Sequence, residues 1–185
     1  FLDQNRKAVA AFDEDEQLIL FLPVKNVDGY TVVNSELLEN EDTKKFIEGI
    51  GVKKPSLKDQ IYNIILPLYR KGGEIDTDPH FMMFFNYYCK CSNDEVDDFV
   101  SLIKDYEFLT YYDPDDDQPY RGSAASMYLP TPELRMYFET KEDTRFLALD
   151  EYRELVGPAK EKQLISFLIE LGIKRTISIE KQSVD

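Results

Sequence analysis

Two segments of the chain repeat one local pattern, and this repeat constrains the fold more than any other sequence feature. Phe46–Lys54 and Phe167–Arg175 each contain the end of an amphipathic helix, a glycine, an aliphatic residue and two basic residues. A glycine in that place is typical of a helix that ends with one residue in the left-handed conformation. The pattern predicts two helices that end at Gly51 and Gly172, each followed by an exit strand.

The residues upstream of each glycine extend the repeat. Ser35–Leu38 aligns with Ser126–Leu129 if the second copy carries an insertion. Both copies then have the order hairpin, short helix, glycine and exit strand. A common helix-ending pattern would also produce the shorter match, so a true repeat and a coincidence both stay open at this point.

Short apolar or β-branched runs predict the strands. In the first copy, Leu18–Leu22 is a buried strand that ends at Pro23, and Tyr30–Val33 forms a hairpin through an Asp28-Gly29 turn. In the second copy, strands are predicted at Phe108–Tyr112, Ser126–Leu129 and Phe146–Leu149.

Three helices are predicted between the two copies. Ser56 is a candidate N-cap for a helix over 57–71, in which Pro67 should introduce a kink or mark the last turn. An aromatic helix should begin near residues 76–77, and a third helix near residues 92–93. A further N-cap is expected at Asn40 or Asp42. Another helix should follow Thr131-Pro132, with Pro132 in its first turn.

These predictions give an α+β fold in which two small strand–helix units flank a three-helix segment. The predicted parts are a helical or frayed connector over 1–17, a first α/β unit over 18–72, a helical segment over 73–106 and a second α/β unit over 107–185. A chain of 185 residues buries a sizeable core without disulfides or metals. We expect the parts to form one compact body.

The charge balance argues against two classes of partner. The chain has 36 acidic and 22 basic residues, which gives a net charge of −14. Nucleic acids and anionic membranes both require a basic surface, so we expect neither as a partner. No apolar run reaches the roughly 18 residues that a membrane-spanning helix needs.

The cysteines and the first residue indicate the setting of the chain. Cys89 and Cys91 lie too close together to form a disulfide framework, so nothing indicates secretion and a cytoplasmic location is expected. The chain begins with Phe1 rather than Met, and we therefore expect it to be a piece of a longer protein.

Motifs that would carry catalysis are missing from the sequence. It has no nucleophile elbow, no phosphate-binding glycine loop and no dinucleotide fingerprint. One histidine, His80, and two cysteines at Cys-x-Cys spacing fit a zinc site poorly. Asp113–Asp117 begins like a calcium loop, but Gln118 and Ala124 stand where glycine and glutamate are needed. We expect no catalytic residue, metal or cofactor; a diffuse carboxylate site is the enzymatic alternative.

One helix carries more aromatic residues than a single buried face needs. Its aromatic residues are Phe81, Phe84, Phe85, Tyr87 and Tyr88. Core packing is one interpretation of this cluster. A docking surface for another domain is the other, because some rings would then lie off the intramolecular face.

The order of elements also matches a winged helix, with three helices over 56–105 followed by hairpin residues over 108–129. The third helix would then contact DNA, yet it carries Asp94, Glu95, Asp97 and Asp98. These carboxylates would repel phosphates. A winged-helix-like protein or nucleic-acid interaction module is the alternative function.

Several segments resemble a recurring unit of sacsin-like proteins. In the second copy they are Tyr128–Leu134, which contains the Tyr128-Leu129-Pro130 motif, Phe146–Tyr152 and Leu164–Lys174. The first copy is similar over Phe21–Val24, Asp28-Gly29, Phe46–Leu57 and Ile65–Tyr69. The resemblance covers most of residues 20–180 and favours a true repeat.

The resemblance implies a place in a larger protein. Sacsin-like proteins carry an N-terminal nucleotide-binding fold of the kind found in ninety-kilodalton heat-shock chaperones, gyrases and histidine kinases. The Asn-bearing helix and glycine-rich lid of that fold are absent here, so the resemblance implies the downstream, non-ATPase region. It carries over no catalytic residue, and it marks Tyr128, Leu129, Pro130, Gly51, Gly172 and Lys174 as fold determinants.

The expected function follows from this resemblance and from the lack of catalytic motifs. We expect a non-catalytic accessory or interaction module of a chaperone-like ATP-binding protein. Its partners would be neighbouring domains of the same polypeptide or a protein client.

Overall fold

The structure, a computed structural model, describes residues 1–24, 30–71, 78–113, 118–139 and 144–177. Its contacts divide the chain into two units, Phe1–Gly73 and Glu74–Asp185. The division falls next to the predicted boundary at residue 72, and the aromatic helix belongs to the second unit. Helices and short strands occur together in an α+β fold.

Capping side chains start the helices of the first unit. The Asn40 side chain accepts hydrogen bonds from two backbone N–H groups and starts α1, Glu41–Gly49. Ser56 and Asp59 cap each other reciprocally and start α2, Leu57–Gln60. Both caps lie at predicted positions, because only side-chain oxygens there satisfy the free N–H groups of a first turn. A short 3-10 helix, Ser35–Leu38, precedes α1.

A π-helical turn lies before Pro67, where the sequence predicts a kink or the last turn of the helix. Helix α2 continues through the π turn Ile61–Ile65 into α3, Leu66–Lys71. The Leu66 N–H donates to the Ile61 carbonyl, five residues earlier. Proline has no N–H to donate, and its ring crowds the carbonyl four residues earlier. A wider turn before Pro67 relieves this crowding, so the helix continues past it.

The second unit contains most of the helices. They are α4 (Asp78–Tyr88), α5 (Asn93–Ile103), α6 (Pro132–Tyr137), α7 (Leu149–Val156) and α8 (Glu161–Glu170). A hairpin joins β1 (Leu109–Tyr112) to β2 (Pro119–Gly122), and 3-10 turns lie at Ala124–Ser126 and Pro158–Lys160. Ser92 and Thr131 are the N-cap residues of α5 and α6, and both helices begin where the sequence predicts.

Isolated bridges extend the hairpin of the second unit into a small mixed sheet. Tyr128 pairs in parallel with Phe146 on one side and with Lys174 on the other. Tyr111 of β1 pairs antiparallel with Leu147. The order across the sheet is therefore β2, β1, 146–147, 128 and 174.

The first unit repeats these pairings. Phe21 pairs in parallel with Val32, and Asp3 pairs antiparallel with Val33. The Leu22 N–H donates to the Lys53 carbonyl at 3.0 Å. The matching bond of the second unit runs from the Leu129 N–H to the Lys174 carbonyl, also at 3.0 Å. The predicted repeat is therefore present in three dimensions, with Phe21-Leu22-Pro23 equivalent to Tyr128-Leu129-Pro130.

The equivalence differs from the predicted alignment of Ser35–Leu38 with Ser126–Leu129. Ser35–Leu38 is a 3-10 helix that follows the strand at 32–33, whereas Tyr128 lies in the central strand. The alignment matched residue letters and ignored the place of each segment relative to the sheet. The second arm of the hairpin is likewise Pro119–Gly122 and not Ser126–Leu129.

The predicted hairpin at Tyr30–Val33 is also wrong, because Val32 pairs in parallel with Phe21. Parallel pairing places Leu20 and Val33 in one core, which they share with Ile47 of α1. That shared burial is the physical reason for the pairing. The Asp28-Gly29 turn lies outside the described residues.

Residues 1–17 form hairpin turns and not the predicted helical or frayed connector. Leu2 pairs with Ala8, and Phe12 pairs with Leu18. Ala11, between the two turns, is buried in the core of the first unit. The polar composition of this segment reflects two exposed turns, each closed by its own aspartate.

The two turns are built alike. In the second, Asp13 Oδ1 accepts hydrogen bonds from the N–H groups of Asp15 and Gln17, at 3.0 and 2.8 Å. Asp3 makes the same pair of bonds in the first. The third residue after each aspartate has a positive φ, 60° at Arg6 and 58° at Glu16. Both are L residues with a Cβ in a conformation that glycine adopts without strain.

The two helix-ending glycines adopt the predicted left-handed conformation, with φ +102° at Gly51 and +105° at Gly172. The N–H that follows each glycine donates to the carbonyl five residues earlier, at 3.3 and 3.1 Å respectively. The N–H of the glycine itself donates to the carbonyl three residues earlier, at 3.0 and 2.9 Å. Both copies therefore end their helix with a Schellman motif.

We predict that Gly172→Val lowers the free energy of unfolding by about 1 kcal/mol or more. The nearest atom to an added Cβ belongs to Ala125, at 3.8 Å, so the loss arises from the backbone conformation and not from a clash. Urea denaturation measures the change. Gly49→Ala is the control, because its added Cβ meets nothing within 4 Å and its φ is not positive. An equal effect of both substitutions would contradict the assignment.

We predict that Glu16→Gly raises the free energy of unfolding, by less than about 1 kcal/mol, because it removes left-handed strain while adding unfolded-state freedom. Glu14→Gly, in the same exposed turn but without a positive φ, should lower stability or leave it unchanged. Thermal denaturation of both variants compares them. A Glu16→Gly variant no more stable than Glu14→Gly would rule out this account of the turn.

Candidate interaction surface

Helix α4 is part of the core of the second unit. Phe81, Phe84, Phe85 and Tyr87 are at most 7% exposed, and Tyr88 is half-buried. Their rings contact those of Tyr152, Phe108, Phe99 and Phe167 at centroid distances of 4.2 to 5.9 Å. The helix lies against both α5 and α8, so rings on more than one side are covered. These five side chains therefore pack in the core and do not form an exposed docking surface.

Two tyrosine hydroxyls form hydrogen bonds between different elements of this core. The Tyr88 hydroxyl donates to Glu170 at 2.7 Å, and burial together with this bond raises its pKa. The Tyr152 hydroxyl accepts from the Thr110 N–H at 2.7 Å and donates to Thr110 Oγ1 at 3.0 Å, which joins α7 to β1. Burial raises the pKa of Tyr152, although the Thr110 bonds oppose the shift.

Most of the sequence-predicted motif residues meet in the sheet of the second unit. Tyr128 pairs with Lys174, and the Leu129 N–H donates to the Lys174 carbonyl. Gly172 ends the helix that leads to Lys174, and Pro130 ends the central strand, since it has no N–H to donate. Gly51 occupies the equivalent place in the first unit.

Three partly exposed rings lie together on one side of this sheet. The centroid distances are 4.7 Å for Tyr128–Phe138, 6.4 Å for Tyr128–Phe146 and 6.3 Å for Phe138–Phe146. Met127 and Leu147, their chain neighbours, are 0% and 1% exposed. Because side chains alternate along a strand, Tyr128 and Phe146 lie on the face opposite the core, and Phe138, at the end of α6, packs against both of their rings.

Two basic side chains lie over these rings. Lys174 Nζ is 5.1 Å from the Tyr128 centroid, and Arg135 Cζ is 5.4 Å from the Phe146 centroid. Among the residues that the structure describes, neither cation forms a salt bridge. We call Tyr128, Phe138, Phe146, Arg135 and Lys174 the aromatic–basic face. It is a local exception in a chain of net charge −14.

Helix α6 places further apolar surface beside this face. Met136 is 76% exposed and Tyr137 is 48% exposed. The Tyr137 ring lies 4.9 Å from that of Phe138. Exposed methionine and tyrosine next to arginine is the composition that is enriched in the centres of protein interfaces.

Arg135, Phe138 and Phe146 are not among the site residues that the sequence predicts. Pro132 marks the start of α6, and the spacing of Arg135 and Phe138 places both on one helix face. Alternation around Leu147 would have placed Phe146 on the outer face. Helix spacing and strand alternation could thus have located these residues, but only if it had been known which short strands pair with each other.

The remaining candidate residues do not assemble into a chemical site. His80 is 9% exposed and its ring lies 6.4 Å from that of Phe84, while Cys89 and Cys91 are not part of a disulfide. Within the described ranges, no three His, Cys, Asp or Glu side chains are placed to hold a metal ion. Of the calcium-like run, residues 114–117 lie outside those ranges.

The comparisons with known proteins add no identity. No protein-family model, no curated protein and no solved structure matches the chain. In the described part of the chain, no helix combines the length and the apolar character that crossing a membrane requires.

We predict that Tyr152→Phe lowers the free energy of unfolding by about 1 to 2 kcal/mol, because the buried Thr110 N–H loses its partner. Urea denaturation at neutral pH measures this loss. Tyr137→Phe, at an exposed ring, should change stability by less than about 0.5 kcal/mol. A Tyr152→Phe variant as stable as the wild type would contradict the role of this bond.

Urea denaturation of the wild type and of Tyr152→Phe at increasing pH tests how the stability of the fold depends on this tyrosine. A raised folded-state pKa means that the stability contributed by Tyr152 is fully present below about pH 10, the unfolded pKa, and is lost as the pH rises through the folded value. Stability of the wild type should therefore fall more steeply above about pH 10 than that of Tyr152→Phe.

Proposed function

We propose that this chain is a non-catalytic interaction module of a larger, cytoplasmic, chaperone-like ATP-binding protein. It binds a neighbouring domain of the same polypeptide or a protein client. The observation that carries the proposal is the duplicated unit. The same strand pairing and helix-ending glycine occur twice, and the second copy presents the aromatic–basic face.

The duplication supports a scaffold more than a catalyst. Repeated small units build extended binding surfaces, in which each unit keeps its own core and varies its outer face. The two copies keep the glycine turn and the central strand. They differ at the outer positions, where Phe21 is 3% exposed and Tyr128 is partly exposed. The resemblance to sacsin-like proteins supplies the larger ATP-binding protein.

The winged-helix alternative receives less support. Helices α4 and α5 precede the β1–β2 hairpin in the second unit, but the first of the three helices that this order needs, over residues 57–71, belongs to the first unit. On α5, moreover, Asp94, Asp97 and Asp98 are exposed. A helix with this surface would repel the phosphates that such a module must approach.

Magnesium-ATP titrated calorimetrically into the chain should release no binding heat, and the nucleotide should not raise the melting temperature. A longer polypeptide that includes the nucleotide-binding fold is the positive control. Saturable binding to the chain by itself would overturn the assignment as a non-catalytic module.

The docking role is tested in the longer polypeptide by a photoreactive p-benzoylphenylalanine at position 136. We expect a cross-link to an identified neighbouring domain, mapped by mass spectrometry, with a yield that changes when ATP is added. The same group at position 104, which is exposed on α5, is the control. Equal cross-linking from both positions would contradict a specific docking surface.

A further inference from the structure

We propose that the aromatic–basic face binds an acidic polypeptide segment that presents an apolar side chain among carboxylates. The inference rests on the proposed function and names the chemistry of its partner. It follows from two observations. One is the positive charge of the face, and the other is the set of side chains that line the equivalent surface in the first copy.

The face offers cations together with an apolar floor. Lys174 and Arg135 lie over rings, a placement that leaves their N–H donors open to an approaching acceptor. Carboxylates from a partner would meet both cations at once, and Met136 and the rings would cover an apolar side chain between them. A polyphosphate chain fits less well, because it has no apolar side chain to lie against the rings and Met136.

The first copy shows what meets this side of the sheet. Phe21 and Lys53 are the equivalents of Tyr128 and Lys174, and both line a cavity of about 770 Å³. Three carboxylates line the same cavity, from Asp13, Glu16 and Asp59.

Apolar and aromatic side chains accompany these carboxylates. They come from Phe12, Leu18 and Tyr62. Lys58 also lines the cavity, so the chain places three carboxylates and apolar groups around two lysines on this side of the sheet. The second copy keeps the lysine and the central aromatic residue, but within its described ranges neither cation forms an ion pair with a carboxylate. A partner segment of the same character would complete the arrangement.

The probe is a fluorescein-labelled peptide with the sequence of residues 12–18, FDEDEQL, which combines four carboxylates with Phe12 and Leu18. Its neutral counterpart is FNQNQQL. Fluorescence anisotropy is measured against the full chain at increasing salt. We expect the acidic peptide to bind with a dissociation constant below about 1 mM, more weakly as salt rises, and the neutral peptide to bind at least about fivefold less tightly.

Charge variants separate a specific site from general electrostatics. Arg135→Gln combined with Lys174→Gln should weaken acidic-peptide binding at least about fivefold. Lys104→Gln combined with Lys162→Gln removes the same charge from exposed positions elsewhere in the second unit and should weaken it less than about twofold. Circular dichroism and thermal denaturation check that both double variants are folded.

The outcomes distinguish the partner chemistry from the docking role. No acidic-peptide binding up to about 1 mM, or an equal loss in both double variants, would overturn the acidic partner. If the neutral peptide binds as tightly and Met136→Asp abolishes that binding, the face remains a docking surface and only the acidic preference falls. Failure of the docking role itself would appear separately, as the absence of specific cross-linking from position 136.

Discussion

The rest of each unit depends on one glycine turn that returns the chain from a helix to the edge of a small sheet. Gly51 and Gly172 both take a positive φ, and the residue two places later joins the central strand. The turn sets the helix against the side of the sheet that carries Leu20 and Val33 in the first unit. Without it, the exit strand could not reach the Leu22 N–H, and the outer face would lose its lysine.

The local features of the fold could be predicted from the sequence because each depends on adjacent residues. Asn40, Ser56, Ser92 and Thr131 cap the helices where expected, and both glycines end theirs. The pairing of strands could not be predicted, because runs of two or three residues carry too little periodicity to select a partner. Burial decided it: parallel pairing of Phe21 with Val32 brings Leu20 and Val33 into one core, and the expected hairpin was wrong.

Only some residues of the candidate site could be predicted from the sequence. The motif identified Tyr128 and Lys174. The aromatic residues of α4 suggested a docking surface on that helix, whereas the exposed aromatic cluster of the structure lies elsewhere. The five α4 rings pack between α5 and α8, whereas isolated aromatic residues, Phe138 and Phe146, form the exposed cluster. Density of rings along a helix therefore indicated a core, and the outer cluster arose from residues distant in sequence. Such a cluster exists only after the strands have paired.

The π turn at Ile61–Ile65 places one more residue in a helical turn than an α-helix would, and the helix continues after it. An extra residue in a turn rotates everything after it by about 100° around the helix axis. Ile61, Ile65 and Leu66 are all at most 4% exposed, so the buried stripe steps sideways at that point, and Leu68 is left 40% exposed. The side chains after the π turn, Leu68 among them, therefore point to a different side from the one that an uninterrupted α-helix would give them.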